Sequence, residues 1–195
     1  MHEIADALSK IGLFKGGSNG YDLERAPLRI EGLIMLIRLL GEEDAAWAQS
    51  PVHPFTDVPK WADSQAVRMV AYGYNKGYAN GYLNNRFGAT DNILATQYLT
   101  FVLRALGYSD SKGDFVWNQS IEKALEIGLI NSELAYKYKT QTFTRGDLVV
   151  VSYRALMCKM KTGDNLLLLE LVEKDAITVL QASEILSLTK KYIVK

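Results

Sequence analysis

Three stretches of the chain are apolar on nearly every side, and they limit the folds open to it. Residues 33–40 read Leu-Ile-Met-Leu-Ile-Arg-Leu-Leu, 99–106 read Leu-Thr-Phe-Val-Leu-Arg-Ala-Leu, and 148–156 read Leu-Val-Val-Val-Ser-Tyr-Arg-Ala-Leu. A helix without a polar face has to be enclosed by protein. The first two stretches are closed by Gly41 and Gly107, the residue type that best tolerates the left-handed turn after a helix. Each carries one arginine late in the run: Arg38, Arg104 and Arg154. Three buried helices of one pattern predict an all-α fold around a central three-helix cluster.

The repetition extends upstream. Helical spacing of apolar residues predicts helices over 4–11, 62–72 and 118–127. Glycine-bearing turns follow at Gly12, Gly73 and Gly128. Each unit thus reads as helix, Gly-rich turn, loop and buried helix, and repeats at this period signal one architecture used several times. Gly12 to Gly73 spans 61 residues and Arg38 to Arg104 spans 66, which predicts a loop longer by five residues in the second unit.

The second unit carries a long spaced pattern: Phe55-Thr56-Asp57-Val58-Pro59-Lys60-Trp61-Ala62, then Ala66, Gly73, Gly77, Asn80-Gly81 and Phe87, then Leu103-Arg104-Ala105-Leu106-Gly107. It resembles the S-layer homology (SLH) repeat, whose pattern runs F-x-D-V-x-x-x-W-A, a helix, a glycine-rich turn, a T-R-A-E tetrapeptide and an apolar helix ending A-L-G. The first unit lacks the opening, and the third keeps Phe115, Trp117 and Thr144-Arg145-Gly146-Asp147. The resemblance spans roughly residues 3–160. It implies a pseudo-threefold assembly of helix–loop–helix repeats over about 3–50, 53–110 and 113–160, forming a domain of 1–161.

The tetrapeptide can be read from its chemistry. Thr144 followed by Asp147 has the spacing of a capping box, each side chain satisfying an N–H at a helix start. Arg145 would sit in the first turn beside backbone donors that favour an anion, where a guanidinium can hold a carboxylate through two parallel bonds. Arg29 holds the matching place in the first unit, and Ala95 replaces it in the second. In the SLH family this arginine is associated with a secondary cell-wall glycopolymer, often pyruvylated, bound in a groove between repeats.

By position, the resemblance implies ligand-binding roles for Arg29 and Arg145, with Asp57, Trp61, Gly77 and Gly81. Tyr78 and Tyr82 join them on composition: residues 72–82 carry four Tyr among Gly and Asn, and a ring with a hydroxyl suits sugar or protein contact. Structural roles stand beside these. Asp57 could cap the helix after Pro59, Trp61 and Phe55 could staple the core, and Tyr72 and Tyr74 could cover its edge. Arg38, Arg104 and Arg154 read as partners of terminal carbonyls or as outward-reaching side chains.

Charge and composition exclude several function classes. In 195 residues, 22 Lys and Arg balance 22 Asp and Glu, without the basic excess of a general nucleic-acid binder. The single Cys158 rules out an internal disulfide and cysteine-rich zinc sites, and His2 and His53 have no ligand spacing. No cofactor or metal is expected. The longest aliphatic runs are far short of a bilayer span, so no membrane insertion is expected. Lys15-Gly16-Gly17-Ser18-Asn19-Gly20 lacks the strand and G-K-[ST] ending of a phosphate loop. The acids Glu42-Glu43-Asp44 read as solvated, no nucleophile elbow occurs, and no pair of carboxylates is placed for glycoside hydrolysis. The chain reads as a non-enzyme.

After residue 162 the pattern changes. A helix near 166–172, a turn and a second helix near 178–188 are expected, with Thr178 and Gln181 as a capping box. This helical extension, 162–195, is expected to pack on the same domain, covering apolar surface that the missing first opening would cover. The expected function is a non-catalytic module that anchors a protein to the envelope of a Gram-positive-type bacterium by binding a cell-wall glycopolymer. The alternative is a surface structural or protein-interaction module that kept the fold and lost glycan binding. Either implies a secreted, cell-wall or S-layer location, although Met1-His2 leads straight into Glu3-Ile4-Ala5-Asp6 without the features of a signal peptide.

Overall fold

The computed structural model describes residues 1–17, 20–59 and 64–192. Among these residues the fold is all-α, with isolated bridges and no strand. The buried helices are α2 (Arg29–Leu39), α5 (Ala95–Ala105) and α8 (Arg145–Leu156), and each packs on the other two. Their apolar character explains this: Leu33, Leu36, Leu99, Val149 and Val151 are fully enclosed, each such side chain stabilising the fold by about 1.5–3 kcal/mol. In α8 only Val150 and Arg154 escape full burial. The Tyr98 and Ser152 hydroxyls meet at 2.6 Å and join α5 to α8 inside this core.

The outer helices are α1 (His2–Lys10), α4 (Ser64–Asn75) and α6 (Ser120–Glu126). They end in one way. The backbone turns left-handed at Gly12 (φ 79°), Gly77 (φ 73°) and Gly128 (φ 75°), where a Cβ would be strained. The next amides return to the helix, Leu13 N–H to Leu8 at 2.9 Å and Tyr78 N–H to Gly73 at 2.9 Å. Gly12 therefore corresponds to Gly77, and Gly73 lies inside α4, correcting the expected register. Gly73 is small because α2 crosses there: a Cβ would stand 2.7 Å from Leu33 Cδ1. Gly12 to Gly77 is 65 residues against 66 for Arg38 to Arg104, so the loop expected to be longer by five residues differs by one.

Two helices absent from the sequence reading are α3 (Glu43–Ala48) and α7 (Ser132–Thr140). Neither has a long apolar stripe. In α3 only Ala46 is buried, and in α7 only Ala135 and Tyr138. The Glu42-Glu43-Asp44 cluster is not simply solvated: Glu43 takes Lys15 at 2.7 Å and Arg38 at 3.0 Å, and Glu42 accepts the Tyr78 hydroxyl at 3.0 Å.

The extension forms α9 (Leu167–Glu173) and α10 (Val179–Tyr192). The Thr178–Gln181 capping box is present, with N–H bonds of 2.8 and 3.2 Å. Helix α9 packs on α8 and α10 on α1. Leu167, Leu168, Leu171, Ile177 and Ile185 are buried there, and the Tyr153 hydroxyl donates to the Ile185 carbonyl at 3.1 Å.

Candidate functional site: grooves between the repeats

Two of the buried helices, α2 and α8, start against the loop of another unit. Arg29 N–H donates to the Asp91 carbonyl at 2.8 Å and Ile30 N–H to Ala89 at 3.2 Å. Arg145 N–H donates to Arg25 at 2.9 Å and Gly146 N–H to Leu23 at 2.8 Å. The first unit thus leans on the second and the third on the first. The helix start belongs to one unit and the loop to its neighbour, and a groove opens where they meet.

The groove at Arg29 has a volume of 740 Å³. It is lined by the buried Arg29, Thr100 and Phe101, by residues of the 80–86 loop and Gln97, and by Arg104, Asp110 and Trp117. Arg29 is 4% exposed. Its guanidinium carbon lies 4.7 Å from the Phe101 ring centre, 4.8 Å from Tyr82 and 5.3 Å from Phe87, within the range of cation–π attraction. Nη2 donates to the Asn80 carbonyl at 2.8 Å, and Nε is buried without a hydrogen-bond partner among the described residues. Burial pushes the guanidinium down from its ordinary value, yet that value is so high that the side chain stays a cation at neutral pH. No ion pair neutralises it among the described residues. Arg104, by contrast, is matched by Asp110 through bonds of 2.9 and 2.6 Å.

The groove at Arg145 is smaller, 230 Å³, and bounded by Phe14, residues 15–17, Gly20, Asp22 and α2. Arg145 is 9% exposed, with Nε donating to the Tyr21 carbonyl at 2.9 Å and Nη1 3.5 Å from Glu31. Arg25 grips the same carboxylate at 2.7 and 3.0 Å. Burial raises the Glu31 pKa, and the bonds from Arg25 and the Leu28 amide outweigh it, leaving the group below its ordinary value. The Thr144–Asp147 capping box forms as expected, at 3.3 and 3.0 Å. The third groove, 490 Å³, is lined by Ala95 in place of an arginine, with Tyr138 and Phe143 opposite.

The expected site residues fall into different places. Arg29, Gly81 and Tyr82 line the large groove, and Arg145 lines the small one. Gly81 is also tightly packed, since a Cβ there would meet the Phe55 ring and the Arg86 carbonyl. Asp57 lines none of the three grooves; it accepts the Phe87 and Gly88 amides at 2.6 and 2.8 Å and pins the loop. The helix start after Pro59 that it was expected to cap lies outside the described residues. Gly77 terminates α4, and Tyr78 is tied to Glu42, both outside the grooves. Trp61 lies outside the described residues.

Asp110, at the end of the second unit, and Trp117, in the third, share the lining of the Arg29 groove, while Asp91 and Asp57 act on the Arg29 charge through space. Trp117 is 56% exposed, an apolar ring held at the groove mouth. Of the late arginines, Arg38 and Arg104 hold carboxylates just beyond their helices; Arg104 also donates to the Tyr78 carbonyl at 3.4 Å, and Arg154 to that of Leu129 at 2.7 Å.

Among the described residues, no group of three metal-ligating side chains occurs and no helix is long and apolar enough to cross a membrane. No known family's model matches the chain. Two curated proteins are similar to it. A "Cell surface protein" of Thermoanaerobacter kivui is 32% identical over 165 residues, covering 82% of this chain and 21% of that protein. A "Middle cell wall protein" of Brevibacillus brevis is 28% identical over 159 residues, covering 80% of this chain and 14% of that protein. The chain is therefore similar to a minor segment of two much longer proteins, one named for the cell surface and the other for the cell wall.

Proposed function

We propose that this chain is a non-catalytic, SLH-type module that works at the bacterial surface and binds an anionic cell-wall glycopolymer in the Arg29 groove. The surface location follows the names of the two relatives. The observation that supports glycan binding is a buried arginine without a carboxylate partner among the described residues, in a groove walled by Tyr82 and Trp117. Aromatic faces stack on the apolar side of a sugar ring, while a desolvated guanidinium favours a carboxylate such as a pyruvyl group. The module is proposed to act by binding alone.

Sedimentation with purified cell-wall sacculi tests this reading. Wild-type protein should co-sediment, and the binding should vanish once the non-peptidoglycan polymer is stripped. Trp117→Ala, a change at an exposed position, should weaken sedimentation without moving the melting temperature, and Arg29→Ala should abolish it. Failure of the wild type to sediment with sacculi of its own host would overturn the proposal.

A protein-interaction role is the second reading. Val179 and Leu180, 73% and 70% exposed at the start of α10, favour it. Sedimentation that survives stripping would support that role.

A further inference from the structure

The grooves differ at one helix position. The third residue of the buried helix is Glu31 in α2, Gln97 in α5 and Asp147 in α8. All three side chains reach back to the amide before the helix: Leu28 N–H to Glu31 at 2.7 Å, Leu94 N–H to Gln97 at 3.1 Å and Thr144 N–H to Asp147 at 3.0 Å. That capping role needs one oxygen, which an amide supplies as well as a carboxylate. The second polar atom of the side chain is where the grooves diverge.

Glu31 turns its other oxygen to the arginines of the small groove, 2.7 Å from Arg25 Nη2 and 3.5 Å from Arg145 Nη1. Gln97 turns its amide nitrogen to the Tyr82 hydroxyl at 2.7 Å, and the Tyr82 ring covers Arg29 at 4.8 Å. The small groove thus holds a carboxylate at this position, whereas the acid that lines the large groove, Asp110, is gripped by Arg104. The large groove has a neutral residue at the equivalent point and a desolvated cation beyond it.

We propose that this position decides which groove accepts an anion. Gln97 keeps the Arg29 groove open to a carboxylate-bearing ligand and sets the Tyr82 wall, while Glu31 is a built-in occupant that closes the Arg145 groove. This rests on the glycan-binding reading for its biological ligand and assigns the carboxylate of that ligand to one groove. The physical basis is specificity by repulsion: a fixed carboxylate beside the incoming one costs more than a neutral amide does. A buried guanidinium that lacks a charged partner regains in the bound state part of what burial cost it.

Sodium pyruvate is the probe, titrated at constant ionic strength into the full chain while the arginine Nε–Hε signals are followed by NMR. In the wild type the Arg29 signal should shift saturably and the Arg145 signal should not. Gln97→Glu should weaken the Arg29 response by roughly tenfold or more through like-charge repulsion. Glu31→Gln should make Arg145 respond. Both substitutions keep the oxygen that caps the helix, and melting temperatures recorded alongside report on folding.

Equal responses of the two arginines in the wild type, or none at Arg29, would overturn the assignment without recourse to any variant. Unchanged affinity in folded Gln97→Glu would overturn it too. Sacculi sedimentation of the same wild-type sample separates the failures: absence of sedimentation removes the wall-glycan reading, whereas the pyruvate titration alone decides the role of Gln97.

Discussion

Arg104 and Asp110 face each other through two near-parallel bonds, Nε to Oδ1 at 2.9 Å and Nη2 to Oδ2 at 2.6 Å, with both side chains mostly screened from water. The pair ties the end of α5 to the segment leading into the third unit, and it borders the large groove.

A pH dependence follows from this pair. The Arg104 guanidinium holds the Asp110 carboxyl below its ordinary 3.8. A depressed acid contributes stability that is complete above the unfolded pKa and lost as pH falls through the folded one. Asp110→Asn should therefore lower the melting temperature at pH 6, and the gap to the wild type should close on acidification below 3.8. Thermal scans of both proteins from neutral pH downward measure it; a gap that stays constant with pH would contradict the linkage.

Two glycine substitutions separate close packing from backbone strain. Gly73→Ala gains helix propensity, about 1 kcal/mol, but drives a methyl group into Leu33. Overpacking costs about 1–3 kcal/mol, so the variant should be destabilised or at best neutral. Gly77→Ala meets no neighbour within 4 Å, and its loss of about 1–2 kcal/mol comes from the left-handed backbone alone. Urea titration gives both values. A second change, Leu33→Ala, should relieve the first substitution and leave the second untouched.

The extension should matter for stability. Ile185 is fully buried where α10 meets the rest of the chain, and Ile185→Ala is expected to cost about 2–4 kcal/mol. Removing 164–195 should lower the melting temperature by many degrees, because it uncovers apolar surface of α1 and α8. An unchanged melting temperature would show that the extension does not support the fold.

Cys158 gives a reporter for opening of the same region. Burial pushes its thiol up to about 11, and the thiolate is the reactive form. Iodoacetamide at pH 8 should leave Cys158 unmodified in the native protein and alkylate it readily in urea. Rapid native-state labelling would mean that the contact between Cys158 and α9 opens often; the Leu167 amide bonds the Cys158 carbonyl there at 2.9 Å.

Local chemistry made the buried helices legible in advance. A run such as 148–156 has no polar face, so it must be enclosed whatever surrounds it. Thr144–Asp147 and Thr178–Gln181 form their caps because the bonds span three residues and need no distant partner. Helices α3 and α7 escaped notice because they bury only a residue or two each, leaving no periodic signal to read.

The groove is different. Arg29 was visible as a helix-start arginine, but its burial under Tyr82, Phe87 and Phe101 depends on the first unit leaning on the second. Asp110 and Trp117 reach that groove because the chain runs on from α5 past the end of the second unit and into the third. Asp57 shows the converse: its motif suggested a ligand, and tertiary contact gave it two backbone amides to hold.

Sequence alone determined that three enclosed helices would form the centre, since hydrophobic burial is set by residue type and helical spacing. Only the tertiary structure decided which arginine keeps its charge unmatched. Charge pairing depends on distances of a few ångströms between residues far apart in the chain, and Glu31 and Gln97 differ there although both hold the same place in the repeat.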